Sequence, residues 1–502
     1  MIMNNIADYV AHWASRSPQH EAIIAGERRI SYGEFERAVA QTAGALEAAG
    51  LKHGDRIAVQ SLPTPEYLIL YMAAVRLGAV LVGINAQYTA DEIGYLLELS
   101  RPTIMLAQPI FVERLEQALA KVAVPTRIVI QDQAPGWTGW DAFAAQGQPV
   151  SAARTAADDA ALIVFTSGTT GKPKGAVLTH RGVLRNIEVE VRQFSLIQSD
   201  RVVLHLPMNH VAGATEISIG AIMAGATLLV LDRFHPATTL ELVAREKATF
   251  LGQVPAMFIM ELNLPNFADY DSSSLTRLVV AGAATPAEVM KRMMGIAPVI
   301  TGYGMSEVGG FVTYTDPLDD AETVARTVGR IAPEFALRVV GEQGQDLPAG
   351  EIGDVWIKGE CLMHGYFGNA AASREALTAD GWYRSGDMGK LDERGYLTLV
   401  GRRKEMYISG GYNVYPVEIE DALARHPDLM FSAVIGVPDA VLGEVGKALV
   451  VPRPGRTLEA EAVQAFLRSI LAEYKIPRVV EVVAQLPMTP LGKVDKKQLH
   501  AH

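Results

Sequence analysis

Apolar and polar positions along the chain alternate between two rhythms. Short β-branched runs such as "RIAVQS" (56–61) predict strands, and "PEYLILYMAAVRLG" has the spacing of an amphipathic helix. With "AVLVGI" as a second strand these make one strand–helix–strand unit. The same order returns at "AGATEISIGAIMAG" followed by "ATLLVL", and again at "RLVVAGAA", "PAEVMKRMMG" and "PVITGYG". Repeated crossovers of this kind imply mostly parallel sheets with helices on their faces, and ligands held by the loops that leave the strands' carboxyl ends. From about Trp356 the rhythm changes to short strands with turns, "DVWIKG", "GYLTLVG" and "MYISGGYNVYP". After Pro416 a small unit follows, with a helix "VEIEDALARH", strands "SAVIGVP" and "KALVVP", a helix "EAVQAFLRSILAEY" and the tail "PMTPLGKVDKKQL". The pattern predicts an α/β fold of two domains. Residues 1–402 form a large domain of parallel sheets with a β-rich subdomain, and 403–502 a small C-terminal α/β domain, divided at the charged run "GRRKE" (401–405).

Composition supports two domains and excludes several functions. A chain of 502 residues that is 49% hydrophobic exceeds one ordinary core. The net charge of −11 leaves no general positive field for nucleic acid or anionic lipid. A single cysteine, Cys361, permits no internal disulfide, suits a reducing compartment, and has no activating base near it in "GECLMHG". The start of the chain lacks the order of a signal peptide, and the apolar stretch 68–84 is interrupted by Arg76 and Gly78. A cytoplasmic protein with no membrane insertion is expected.

The loop "FTSGTTGKPKG" (165–175) concentrates glycines, hydroxyls and lysines directly after the apolar run "ALIV". A Walker-type loop is excluded because Pro173 stands where that pattern needs Gly-Lys-Ser/Thr. Strand, loop, strand is the alternative. Phosphate would then be held by backbone N–H groups, by the hydroxyls of Thr166, Ser167, Thr169 and Thr170, and by Lys172 or Lys174. A flexible surface hairpin is the plainer reading of the same residues.

Three further features carry candidate chemistry. In "TGYGMSE", Tyr303 could offer its ring to a base, and Glu307 could hold Mg²⁺ through oxygen; alone they read as core packing and a solvated acid. In "WYRSGD", Asp387 is placed in a tight turn where it could accept both hydroxyls of a ribose, although turn chemistry alone explains it. In the tail, Pro490 and Gly492 present Lys493 on a shaped turn.

Taken together, "TSGTTGKPKG", "TGYGMSE", "WYRSGD" and "PLGKVDKKQL" resemble the adenylate-forming superfamily of acyl-CoA synthetases, 4-coumarate ligases, luciferases and peptide-synthetase adenylation domains, over essentially the whole chain. The resemblance implies an ATP-dependent, AMP-forming acid:CoA ligase using ATP, Mg²⁺ and coenzyme A. Ser167, Gly168, Thr169, Thr170 and Gly171, with Thr166 and Lys174, would grip the β and γ phosphates. Gly282, Ala283 and Ala284 would line the adenine site under Tyr303, Ser306 would touch the α-phosphate, and Glu307 would bind the metal. Asp387 and Arg402 would hold the ribose or phosphates, and Lys493 would bridge the substrate carboxylate and the α-phosphate. By the same resemblance Lys404 is the hinge of a mobile C-terminal domain, and the loop with Gly410, Gly411 and Tyr412 lines the channel for coenzyme A once that domain has turned. The plain reading of Lys404 is a surface lysine.

For the acid, "LPMNHVAG" resembles the stretch in which His210 gates the acyl pocket. The pocket positions implied are Ala212, Glu216, Pro255, Ala281, Gly309, Gly310 and Phe311. Glu216 is unusual there and is expected to turn away from the pocket rather than into it. Small residues with Phe311 closing the far end predict an aryl, alicyclic or medium-chain acid, an aromatic one favoured. An enzyme loading a carrier protein, and a silent member that only binds ligands, are the other readings; intact Glu307, Asp387, Arg402 and Lys493 argue against the second. A small-molecule partner and a homodimer are expected.

Overall fold

The computed structural model describes residues 3–130, 133–166, 173–489 and 494–499. Two large sheets carry the N-terminal region. In the eight-stranded sheet the parallel strands Arg56–Gln60, Val80–Gly83, Ile104–Ala107 and Thr126–Val129 lie beside Ala160–Thr166. That strand turns back antiparallel as Lys174–Thr179, pairing Phe165 with Gly175 and Thr166 with Lys174. The strand–loop–strand reading of the glycine-rich segment is thus correct at both of its described ends. In the nine-stranded sheet Arg201–Leu204, Phe250–Gln253, Arg277–Val280 and Val299–Met305 run parallel, as the repeated crossovers predict.

A four-stranded antiparallel sheet holds Ala336–Val340, Gly353–Lys358, Tyr383–Leu391 and Leu397–Arg402. After Arg402 the chain enters a separate five-stranded sheet built on the long hairpin of Leu429–Asp439 and Gly443–Pro452. Its own apolar cluster includes Tyr407, Ile419, Leu423, Val434 and Val450. The helix predicted through residue 474 is shorter, Ala460–Arg468, and is followed by a 3₁₀ turn at Glu473–Lys475.

One helix departs from its predicted character. Pro65–Arg76 is not amphipathic: each of its residues is buried, because it lies between a sheet and the helix Tyr32–Ala48. Thr64 caps its start by accepting from the Tyr67 N–H, and Pro65 occupies the first turn, where no N–H is required. Arg76, 1% exposed, ends the helix against a bidentate partner, donating to both Glu36 carboxylate oxygens at 2.8 and 2.6 Å and to the Val150 carbonyl at 3.3 Å. Removing one partner of a buried pair strands the other charge. Arg76→Ala should therefore cost about 3–5 kcal/mol, read as an earlier midpoint in urea denaturation, and Glu36→Gln added to it should recover part of the loss.

Among the described residues no helix is long and apolar enough to cross a membrane. Cys361 is fully buried, and burial pushes its thiol up to about 12, which excludes it as a nucleophile at neutral pH.

Candidate active site

The carboxyl ends of both large sheets open onto one cavity of about 2150 Å³, whose wall continues onto the C-terminal domain through Asp421, Arg425 and Lys496. On one side stand Thr166 and Lys174, at the two ends of the glycine-rich loop. Ser167, Gly168, Thr169, Thr170, Gly171 and Lys172 lie outside the described residues, as does Lys493.

Beside Lys174 is a set of contacts that the sequence did not reveal. The short strand Gly365–Tyr366 pairs with Lys174–Thr179 and delivers Tyr366 to the cavity. The Lys174 ammonium lies 5.2 Å from the centre of the Tyr366 ring, and the Tyr366 hydroxyl donates to Glu307 Oε1 at 2.8 Å. Burial raises the Glu307 carboxyl above its usual range, with the Tyr366 hydrogen bond and Arg402 opposing. Ser306 and Glu307 both line the cavity, on a 3₁₀ turn that follows the strand Val299–Met305.

Two predicted settings are corrected by the strand pairing. Asp387 is not in a tight turn but within the strand Tyr383–Leu391, directly opposite Arg402, because the β-rich sheet extends through both. Arg402 Nε lies 3.2 Å from Asp387 Oδ1, and that charge raises the guanidinium's affinity for its proton. Tyr303 lies on the strand itself and is buried rather than on the cavity wall, its hydroxyl donating to Asp387 Oδ2 at 2.5 Å. Asp387 thus ties Tyr303 to Arg402 across the strand pair. Gly282, Ala283 and Ala284 line the cavity, as do Arg402 and Lys404.

Another part of the wall is built by the loop and π-helical turn that follow Arg201–Leu204. His210, Ala212 and Glu216 line the cavity, as do Pro255, Ala281 and Phe311. His210 Nδ1 accepts from the Ala212 N–H at 3.2 Å. The expectation that Glu216 turns away is overturned, because the wider turn of Ala212–Ile217 carries it onto the wall. Gly309 and Gly310 are corrections too: they do not line the cavity but back it. The Gly309 carbonyl accepts from Thr215 Oγ1 at 2.7 Å, and a Cβ on Gly310 would stand 2.3 Å from Glu190 Oε1.

Gly410, Gly411 and Tyr412 do not line the cavity. They lie on the hairpin of Tyr407–Ser409 and Tyr412–Val414, where the exposed Tyr412 ring stacks on Tyr474 with centres 4.6 Å apart. The tail, by contrast, is docked. Lys496 lies 3.2 Å from Glu405 and 2.9 Å from Glu420, with only 21% of its side chain exposed.

A buried acid behind the wall residue Gln253 carries a titration test. Gln253 Nε2 donates to Glu261 Oε1 at 2.8 Å, and burial pushes the Glu261 carboxyl from 4.5 to about 8. The folded state then holds a proton that the unfolded state has released, so this contribution to stability is lost as pH rises from about 4.5 to about 8. Glu261→Gln should gain steadily on the wild type over that window and hold its lead above it, measured by thermal unfolding at each pH.

Residues 10–367 match the family model for the AMP-binding enzyme, and 418–493 that for the AMP-binding enzyme C-terminal domain. The chain belongs to the AMP-binding enzyme family. This AMP-binding enzyme is 34% identical to an indoleacetate–CoA ligase of Aromatoleum aromaticum, over 98% of this chain and 96% of that one. It is 37% identical to a CoA ligase for a methyl-dioxo-octahydro-indenyl propanoate of Mycobacterium tuberculosis, over 96% of both chains. Among solved structures it superposes on an anthranilate CoA ligase in complex with anthranoyl-AMP with a TM-score of 0.93 and 26% identity, covering 99% of this chain and 96% of that one. The enzyme is an ATP-dependent acid:CoA ligase of the AMP-forming type, making an acyl-adenylate and pyrophosphate, then a thioester and AMP.

Proposed function

We propose that the acid is an aryl, alicyclic or medium-chain carboxylic acid, an aromatic one favoured. The observation that carries this reading is an aromatic cluster on the cavity wall, where the Phe194 ring lies 5.7 Å from that of Phe250 and 5.9 Å from that of Phe311, with Ile217, Ala212 and Ala281 lining the same cavity. An apolar chamber of that kind rewards burial of a ring by roughly 25 cal/mol per Å² removed from water. The relatives named for ring-bearing acids, indoleacetate, an indenyl propanoate and anthranilate, support it. Pyrophosphate release across matched aryl, alicyclic, medium-chain and short-chain acids, with and without CoA, tests it; turnover confined to short polar acids would overturn it.

The roles within the site belong to the same proposal. Thr166 and Lys174 hold the outer phosphates, and Asp387 with Arg402 holds the ribose. Among the described residues no three His, Cys, Asp or Glu side chains gather as a metal cage. A single buried carboxylate facing an open cavity suits Mg²⁺, which keeps few protein ligands and takes the rest from phosphates and water. Glu307 would hold the ion, which supplies positive charge against the phosphate oxygens. Attack by the substrate carboxylate on the α-phosphorus brings two anions together, and Lys493 provides the neutralising charge where the transition state forms. His210 closes the acyl chamber beside that point. We take residues 1–402 and 403–502 as the two moving units with Lys404 between them, their rotation exchanging Lys493 for the loop of Gly410, Gly411 and Tyr412. A cytoplasmic location and a homodimer complete the reading, to be checked by fractionation and by sedimentation.

A further inference from the structure

Two charged side chains of the site come from different sheets and meet on one tyrosine. Lys174 begins the strand that follows the glycine-rich loop in the eight-stranded sheet, and Glu307 sits on the turn after the strand Val299–Met305 of the nine-stranded one. Tyr366 takes them with different parts of its side chain. The Lys174 ammonium lies over its ring, 5.2 Å from the centre, while its hydroxyl donates to Glu307 Oε1 at 2.8 Å. All three residues line the cavity. The segment that carries Tyr366 is itself fastened to both sheets by main-chain bonds. The His364 and Phe367 N–H groups donate to the carbonyls of Val177 and Gly175 at 2.8 and 2.7 Å, and the Met363 N–H donates to the Glu307 carbonyl at 2.7 Å. The Tyr366 N–H donates to Ser373 Oγ at 2.8 Å, on the helix Ala370–Ala376. Backbone on either side of the ring is thereby tied down.

Packing alone would be served by phenylalanine. The hydroxyl adds a bond to one oxygen of a carboxylate, which fixes that carboxylate's rotation about its last torsion. The ring adds something else: an ammonium resting on an aromatic face keeps its charge, whereas one paired with a carboxylate is neutralised. We propose that Tyr366 is a positioning residue for adenylation, aiming the Glu307 carboxylate at the metal and keeping Lys174 from pairing with it, so that both charges stay available to ATP. The inference rests on the proposed roles of Glu307 and Lys174 and deepens them. Lysine carries its charge on a flexible four-carbon stem, so with the ring gone the ammonium is free to close on the carboxylate it now shares a tyrosine with. Mg²⁺ held through a single protein carboxylate depends on how that group is aimed, and removing the hydrogen-bond partner of a metal ligand typically costs 10- to 100-fold in metal affinity or activity.

Binding of ATP, with no acid present to be turned over, tests this directly. Calorimetric titration in EDTA and again in excess Mg²⁺ gives two dissociation constants for each variant, and their ratio is the gain that the metal confers. Tyr366→Phe keeps the ring and loses the hydroxyl. It should cut the gain by roughly 10-fold or more and leave the constant in EDTA where it was. Tyr366→Leu removes the ring as well; it should cut the gain as far and also weaken ATP in EDTA, by about 2- to 5-fold. Thermal midpoints without ligand show that both are folded. A merely structural tyrosine would lower those midpoints and leave the ratio of Tyr366→Phe alone, and that result overturns the proposal. An equal loss in both media overturns it too. Glu307→Ala separates this inference from the reading beneath it: most of the gain should vanish, and Tyr366→Phe added to it should take nothing more. A gain unmoved in Glu307→Ala would overturn the metal role of that residue, and the inference with it. A gain lost in Glu307→Ala but kept in Tyr366→Phe would overturn the inference alone.

Discussion

Lys493→Ala should abolish acyl-adenylate formation, lowering it by on the order of 10²–10³, while thioester formation from a supplied acyl-adenylate stays largely intact. On the proposed roles the lysine is needed in one geometry only: it would neutralise charge as the carboxylate meets the α-phosphorus, and would be elsewhere when the thiol attacks. Acid-dependent ATP–pyrophosphate exchange reads the first step, and CoA thioester made from synthetic acyl-adenylate reads the second. Equal loss in both would refute the alternation of two geometries. Folding should not change, since Leu499 and Lys496 anchor the described part of the tail.

Gly304→Ala is expected to be a strongly damaging change of a single methyl group beside the site. The strand Val299–Met305 runs antiparallel to Gly310–Tyr314 so closely that a Cβ on Gly304 would stand 1.9 Å from the Gly310 carbonyl oxygen and 2.7 Å from Phe311 Cα. Those are backbone atoms and cannot swing aside. The strands would have to part, at a cost of about 1–3 kcal/mol or more, and the displacement would pass to Ser306 and Glu307 on one side and Phe311 on the other. Loss of adenylation together with a lowered unfolding midpoint is the expected result. Gly94→Ala is the control: it lies inside the helix Ala90–Ser100 with nothing within 4 Å of the added atom. There alanine should stabilise by about 0.5–1 kcal/mol. A Gly304→Ala enzyme as active and stable as that control would refute the packing argument.

What could be read in advance and what could not divide along the range of the interactions involved. The strands of the parallel sheets carry their own β-branched runs, so "RLVV" and "PVI" announced themselves, and the loops after them were placed correctly. The helix Pro65–Arg76 was misjudged because Glu66 and Arg76 look like a polar face; their partners, Arg28 and Glu36, are far away in sequence and were invisible. Asp387 was assigned to a turn because Ser-Gly-Asp is local turn chemistry, whereas its strand is defined by the pairing with Arg402. Glu190 was passed over entirely. In "NIEVEVRQ" it reads as one of several charges on a solvated helix, and only the packing of Gly310–Tyr314 across that helix makes it a buried acid. Tyr366 was missed for the same reason, since a two-residue strand has no periodicity to find.

The docking of Lys496 bears on how the two halves of the reaction are timed. It grips Glu405, the neighbour of the proposed hinge residue Lys404, and Glu420, on the helix Pro416–Leu423, only three residues after Lys493. On the proposed roles the tail would be geared to the pivot rather than trail from it: a turn at Lys404 would be carried toward Lys493 through these two contacts, like a crank fixed to its axle. Because the ammonium is shielded and shared by two carboxylates, added salt should slip this gear little. Protease cleavage of the tail should stay slow as ionic strength rises, and should become fast in Lys496→Met, which removes the ammonium from both carboxylates and leaves Glu420 only the Val434 N–H it accepts from at 2.8 Å.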